Sequence, residues 1–239
     1  ALAGALALGP RRGKYNPDGS INRINGSSMP LATLGVFILW LGWFGFNGGS
    51  QLALGSLADA VAVSNIFVNT NMAAATGILS VVVLSTVLKG KVDLGTALNG
   101  AIGGLVSITA EPLAPALWQA ALIGVVGGGI VFIATPLLEA LRIDDVVGAI
   151  PAHLFCGIWG TMIVPFSNSD ATYVGQAVGV GAVGAFVFSI SLVLWFFLKF
   201  TIGIRAGAKQ EDEGLDDSEI GAPAYPDFVR ASGVAAPAE

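Results

Sequence analysis

The sequence predicts an all-α protein, a polytopic membrane helical bundle, and three observations carry that prediction. Of 239 residues, 54% are apolar and only 11% are charged, less than half the ~25% charge of an ordinary soluble domain. Six long stretches carry no charged residue, and the cations sit only in alternate junctions between them. So few charges cannot solvate a globular surface, which excludes a soluble globule, a nucleic-acid binder and a disordered chain.

The elements follow in order. Residues 1–9 read as the cut end of a truncated transmembrane helix, because Ala1 begins an apolar run with no signal-peptide pattern. Residues 10–29 form a basic loop. Charge-free runs then occupy 30–47, 60–88, 94–110, 115–138, 146–166 and 171–198. Each is close to or above the ~17–25 residues that cross a hydrocarbon core. The six spans therefore fill 30–200, and a polar tail covers 201–239. Eight of the sixteen carboxylates lie from Glu211 onward, so the net charge of −5 belongs mostly to that tail.

The cations fix the orientation. Arg11, Arg12, Lys14 and Arg23 follow the stump, Lys89 and Lys91 the second span, Arg142 the fourth, and Lys199, Arg205, Lys209 and Arg230 the sixth. The loops at 51–59, 111–114 and 167–170 hold no Lys or Arg. All eleven cations fall on one side, which the positive-inside rule makes cytoplasmic, with the C-terminus inside the cell membrane.

Within the spans, Gly100, Gly103, Gly104, Gly124, Gly127, Gly128 and Gly129 are expected at close helix contacts, since lipid gives helices no hydrophobic reason to associate. His153, the only histidine, lies eight residues into the fifth run. An ionisable side chain at that depth marks a pathway or is a satisfied structural group. The first span ends in Trp40-Leu41-Gly42-Trp43-Phe44-Gly45-Phe46-Asn47-Gly48-Gly49-Ser50. This reads as an interfacial aromatic belt, or as a site where ring faces and a hydroxyl oxygen take a small cation. Asn65, Asn69, Thr70 and Asn71 could line a cavity or join helices, and Thr109 is equally open. Cys156 and His153 alone make no metal cluster, so neither a metal nor another cofactor is expected.

Several of these segments, in this order, resemble the ammonium transporter/methylammonium permease/Rhesus superfamily. They are Gly9-Pro10-Arg11, Pro30-Leu31-Ala32 through Trp43-Phe44-Gly45-Phe46-Asn47, Phe67-Val68-Asn69-Thr70, Gly100 to Gly104, Arg142-Ile143-Asp144-Asp145 and His153 through Trp159-Gly160-Thr161. In the tail, Gly203-Ile204-Arg205, Gly214-Leu215-Asp216 and Ala224-Tyr225 add to the resemblance.

The resemblance implies an eleven-span fold of two inverted five-helix repeats plus a last long helix, assembled as a homotrimer with one pore per subunit. This chain is similar to its second half. The resemblance makes His153 the second of two pore histidines, Phe46 one of two stacked gate rings, Trp43 a pore-lining ring and Ser50 the hydroxyl of an outer ammonium site. It sets Thr109 near the outer vestibule. It also implies transport of ammonium or ammonia, contact with membrane lipid and a PII-type regulatory protein at the cytoplasmic face. The tail departs from the family where Glu219-Ile220-Gly221-Ala222 replaces a Glu-His-Gly-Glu element, and Gly148 stands where some members carry an acid. The rival expectations are an ammonium sensor signalling through the tail and a serine hydrolase built on Ser50 and His153. Ser50 lacks a Gly-x-Ser-x-Gly setting.

Overall fold

A computed structural model describes residues 1–223; the Ala224-Tyr225 element and Arg230 lie outside the described residues. The described residues are all-helical apart from a single bridge between Tyr15 and Ile21 in the basic loop. After α1 (Leu2–Leu8) come α2 (Met29–Gly49), α3 (Leu57–Lys89), α4 (Leu94–Thr109) and α5 (Leu117–Ala140). A π-helical turn, Ile150–Phe155, runs into α6 (Cys156–Ile163) and a closing 3-10 turn, Val164–Phe166. The long α7 (Tyr173–Thr201) and the short α8 (Ala208–Glu213) follow, with a π-helical turn over Asp216–Ile220 after them.

Helix boundaries have local causes. Ser28 caps α2 ahead of Pro30, which needs no amide partner in the first turn. Ser56 and Asp59 form a reciprocal capping box at α3, which stops at Gly90 in a left-handed conformation. Asp93 caps α4 and Thr172 caps α7. The apolar run 146–166 is the exception, because its first three residues are not helical and Ala149 leads straight into the π turn at Ile150.

Four helices, α2, α3, α5 and α7, are long and apolar enough to cross a membrane. The other two segments, Leu94–Thr109 and Ile150–Phe166, are shorter, about 25 Å at 1.5 Å per residue, against a hydrocarbon core of about 30 Å. Their place in the bundle explains this: α4 has nine of its sixteen residues buried and forms the centre with α3 and α5.

Glycines bring these three backbones together. A Cβ on Gly104 or Gly124 would run into the Ala73 carbonyl, and one on Gly128 into the Gly77 carbonyl. Gly100, Gly103 and Gly127 face α3 or each other in the same way, whereas Gly129 meets only the Ser80 hydroxyl at 4.0 Å. The expected packing role therefore holds for six of the seven glycines singled out in the sequence. In contrast, α7 has no buried residue and rests on α1 and α6, with the Trp195 ring over Gly4.

The two ends differ in charge. At one end the junctions that carry cations meet: Arg11 pairs with Asp144, Lys14 with Glu139, Arg23 with Asp93, and Arg205 with Glu211. At the other, Glu111 accepts from the Asn168 amide at 2.7 Å, and Asn69 donates to the Pro112 and Pro115 carbonyls.

Candidate functional site

The last turns of α2 carry Trp43, Phe46 and Ser50 at i, i+3 and i+7, which places them on one helix face. The Trp43 Nε1–H donates to Thr109 Oγ1 at 2.8 Å, and that hydroxyl donates to the Leu105 carbonyl at 2.7 Å. The indole is thus fixed by α4. Phe46 meets the Trp43 ring edge-on at 5.9 Å between centroids, yet it is 64% exposed. Ser50 is exposed, and its hydroxyl donates to the Phe46 carbonyl at 3.1 Å. The buried Asn47 amide donates to Thr70 Oγ1 at 2.9 Å and pins this end of α2 to α3.

His153 lies in the π turn that opens the broken sixth segment. Its neighbours Ala152 and Cys156 pack in an apolar cluster with Ala74, Ile102, Leu105 and Val131, against which Trp43 also packs. Ala74 is near the midpoint of α3, so the cluster beside His153 lies at mid-bundle, while the start of the helix stays within reach of Asp145, next to the Arg11-bound Asp144 of the basic end. Between Asp145 and Ala149 the backbone is irregular. Its polar groups are met by side chains: Asp145 accepts from the Ala149 and Ile150 amides at 3.0 and 2.6 Å, and Asn99 donates to the Val147 carbonyl at 2.8 Å. Gly148 turns the chain at φ 73°, a backbone conformation that strains any other residue, and a Cβ there would displace the Asn99 amide. His153 itself is exposed, and its imidazole makes no hydrogen bond among the described residues.

The basic end closes under this break. The Arg11 guanidinium grips Asp144 with two bonds of 2.8 Å, and the Arg11 amide adds a third at 2.9 Å. That pairing holds the Asp144 carboxyl below the usual carboxylate range, against the opposing effect of burial, and raises Arg11. Arg205 donates to Glu211 and to the Leu8 carbonyl, and the Arg12 amide donates to Glu211 at 2.8 Å. Hydrogen bonding from Arg205 likewise lowers Glu211.

The structure therefore brings Trp43, Phe46 and Thr109 together and connects Trp43 through shared apolar packing to the residues flanking His153. Ser50 lies one turn beyond Phe46, bonded to backbone, and is not paired with His153, so nothing supports the hydrolase arrangement. Asn69 and Thr70 join elements, whereas Asn71 borders a shallow cavity of about 320 Å³ with Phe44, Phe67 and Met72, and Asn65 borders one of about 270 Å³. The sequence reading missed what Asn99, Asp144 and Asp145 do. An aspartate a few residues ahead of a proline-led helix is a capping signal, and Asp145 before Pro151 carried it.

This fold and arrangement define a multi-pass helical membrane protein. The profile of the Ammonium Transporter Family matches residues 1–225. The chain belongs to that family. It is 38% identical over 250 residues to ammonium transporter Amt2 of Archaeoglobus fulgidus, covering 96% of this chain and 52% of that one. Ammonium transporter Amt1 of Haloferax mediterranei is 33% identical, with 97% and 47% covered. Among solved structures, one titled Sensor Amt Protein superposes with a TM-score of 0.85 at 36% identity, over 91% of this chain and 56% of that one. Mep2 of Candida albicans gives 0.75 at 27% identity, over 87% and 50%. The chain spans about half the length of the curated relatives it matches.

Proposed function

We propose that this chain is the second half of an ammonium transporter and supplies one wall of a pore through which ammonium or ammonia passes. The observation that carries this reading is His153: its imidazole, the one histidine of the sequence, is exposed and takes no hydrogen bond among the described residues, on a late-starting, interrupted helix whose apolar cluster lies at mid-bundle beside Trp43. Discontinuous helices are where transporters place their sites. Ammonium is recruited near Ser50 at the cation-free end, passes Phe46 and Trp43, and gives up its proton before or during transit beside His153. Bare ammonium crosses an apolar lumen only at high cost, whereas ammonia and a separately carried proton avoid it. The basic end faces the cytoplasm by the positive-inside rule. A preceding half supplies the opposite wall and the partner histidine, the assembly is a homotrimer in lipid, and a PII-type protein is the candidate regulator at the basic end.

The test is His153→Ala in the complete transporter, reading trimer yield and ammonium-driven current per assembled copy in reconstituted membranes. The expected result is normal yield with current per copy lower by about a hundredfold, the scale of losing a positioned proton-transfer group. Reduced yield with unchanged current per copy would make His153 structural and overturn the reading. The alternative, an ammonium sensor signalling through its cytoplasmic tail, has a likeness behind it, the superposition on the structure titled Sensor Amt Protein, which does not favour it over transport. Normal ammonium binding with no current in the unaltered protein would select it.

A further inference from the structure

The geometry points to Asp145 as a positioning residue for His153. This inference rests on the pore reading of His153 and adds the group that sets where that imidazole stands. Ile150, where the turn begins, is 1% exposed, so its amide has no water to turn to and must find an acceptor in the protein. The Asp145 carboxylate takes that amide and the one before it, one oxygen to the Ala149 amide and the other to the Ile150 amide. The chain between them makes a tight excursion through Gly148 at φ 73°, closed on its other side by the Asn99 bond to the Val147 carbonyl.

The turn so capped is π-helical over Ile150–Phe155, and His153 is its fourth residue. In a π turn each residue advances the chain by a smaller angle than in an α-helix, so the direction of the imidazole depends on whether the π register is kept. Pro151 donates no amide and the Ala152 amide reaches the Gly148 carbonyl at 3.2 Å, so the two amides ahead of the proline, Ala149 and Ile150, are the ones that Asp145 holds. Asp145 is itself held from below. The adjacent Asp144 is 3% exposed at its side chain and receives three hydrogen bonds from Arg11. One aspartate fixes the loop to the basic end and its neighbour fixes the loop to the histidine turn.

In the complete transporter, Asp145→Ala is compared with Asp145→Glu, His153→Ala and the double variant Asp145→Ala/His153→Ala. Two readouts are taken on assembled protein: amide exchange over residues 149–155 and the maximal and half-saturating values of transport per copy. Asp145→Ala is expected to speed exchange in that stretch at least tenfold and to lower maximal transport at least tenfold with little change in half-saturation. Asp145→Glu, which keeps the carboxylate, is expected to recover part of both. The double variant should transport no worse than His153→Ala, because the aspartate acts through the histidine. Unchanged exchange would overturn the inference, since the cap would not then hold the turn. Faster exchange with full transport in Asp145→Ala, while His153→Ala is inactive, would overturn it and leave the pore reading standing. Full transport in His153→Ala would instead refute the pore reading and with it any positioning through that ring, whatever the exchange shows.

Discussion

The centre formed by α3, α4 and α5 and the flanks formed by α2 and α7 solve the same problem in opposite ways. In the centre, backbone lies on backbone: Gly104 and Gly124 rest on the Ala73 carbonyl, and Gly100 and Gly128 on the Gly77 carbonyl. The flanks hold on through side chains at a few points. Trp43 and Asn47 tie the far end of α2 to α4 and α3, and Trp195 and Lys199 tie α7 to α1. Their other faces stay open, with Phe37, Ile38 and Leu41 on α2 and Val174, Val178 and Phe200 on α7 more than half exposed. Of the residues proposed for transport, Trp43, Phe46 and Ser50 lie at the end of a flank, Thr109 at its seam with the centre, and His153 on the interrupted segment that packs against α4 and α5. The difference teaches that the glycine-packed centre is the rigid reference and that the α2 tethers and the loop under His153 set the geometry of the candidate site.

The largest effect should come from filling a central contact. Gly104→Leu drives a side chain into the Ala73 backbone, which cannot swing aside as a flexible side chain could. Overpacking a core costs about 1–3 kcal/mol or more, and backbone collision belongs at or above the upper end. Gly179→Leu on α7, where nothing lies within 4 Å, is the matched control. Monodisperse protein recovered in detergent should fall severely for the first and stay near the unaltered level for the second. Equal yields would show that the centre yields as readily as the flank and would break the comparison.

A smaller effect is expected at the basic end, where the centre is joined to α1. Arg11→Ala leaves the Asp144 carboxylate, 3% exposed, without its cation. Removing one partner of a buried pair costs about 3–5 kcal/mol, and since Arg11 keeps 30% of its side chain in solvent, about 2 kcal/mol is expected. The pH dependence has a definite sign. Because Asp144 is held below its ordinary range, its contribution is present above that range and is lost as pH falls through the lowered value. Thermal midpoints at pH 7 should therefore separate the unaltered protein from Arg11→Ala, and the gap should narrow below about pH 4. A gap that widens on acidification would mean that the pair does not stabilise the fold.

The sequence revealed more of the centre than of the site. Charge-free runs located the helices, because an apolar solvent leaves no other way to satisfy a backbone, and glycine clusters marked where helices touch. The late start of the helix was hidden, since residues 146–148 are as apolar as a helix, and what keeps them irregular is a local bond from the Ala149 amide to Asp145 together with the long-range bond of Asn99 to the Val147 carbonyl. Trp43, Phe46 and Ser50 could be placed on one face by spacing alone. The partner of the Trp43 indole could not, because Thr109 is 66 residues away and its register against α2 is set by packing. The ion pairs at the basic end were legible only as a charge bias; which cation takes which carboxylate is a matter of tertiary contact.

The smallest effect tests that long-range tether. Thr109→Val keeps the volume of the side chain and removes its oxygen, so the Trp43 Nε1–H loses its 2.8 Å acceptor while the apolar contacts of the ring remain. A half-buried donor without an acceptor costs about 1–3 kcal/mol, and the lower end applies where water or a neighbouring carbonyl can substitute. Stability in detergent should fall by about 1 kcal/mol, while assembly stays intact because the α3–α4–α5 contacts are untouched. The sharper readout is local. Trp43 meets Phe46 edge-on at 5.9 Å, so loosening the indole frees the ring that stands before the proposed pore. Trp43→Phe removes the same donor, and the double variant Trp43→Phe/Thr109→Val should cost no more than the larger single one, which is the signature of one shared bond. If the two losses simply add, Trp43 and Thr109 act separately, and α2 is held to the centre by Asn47 and apolar packing alone.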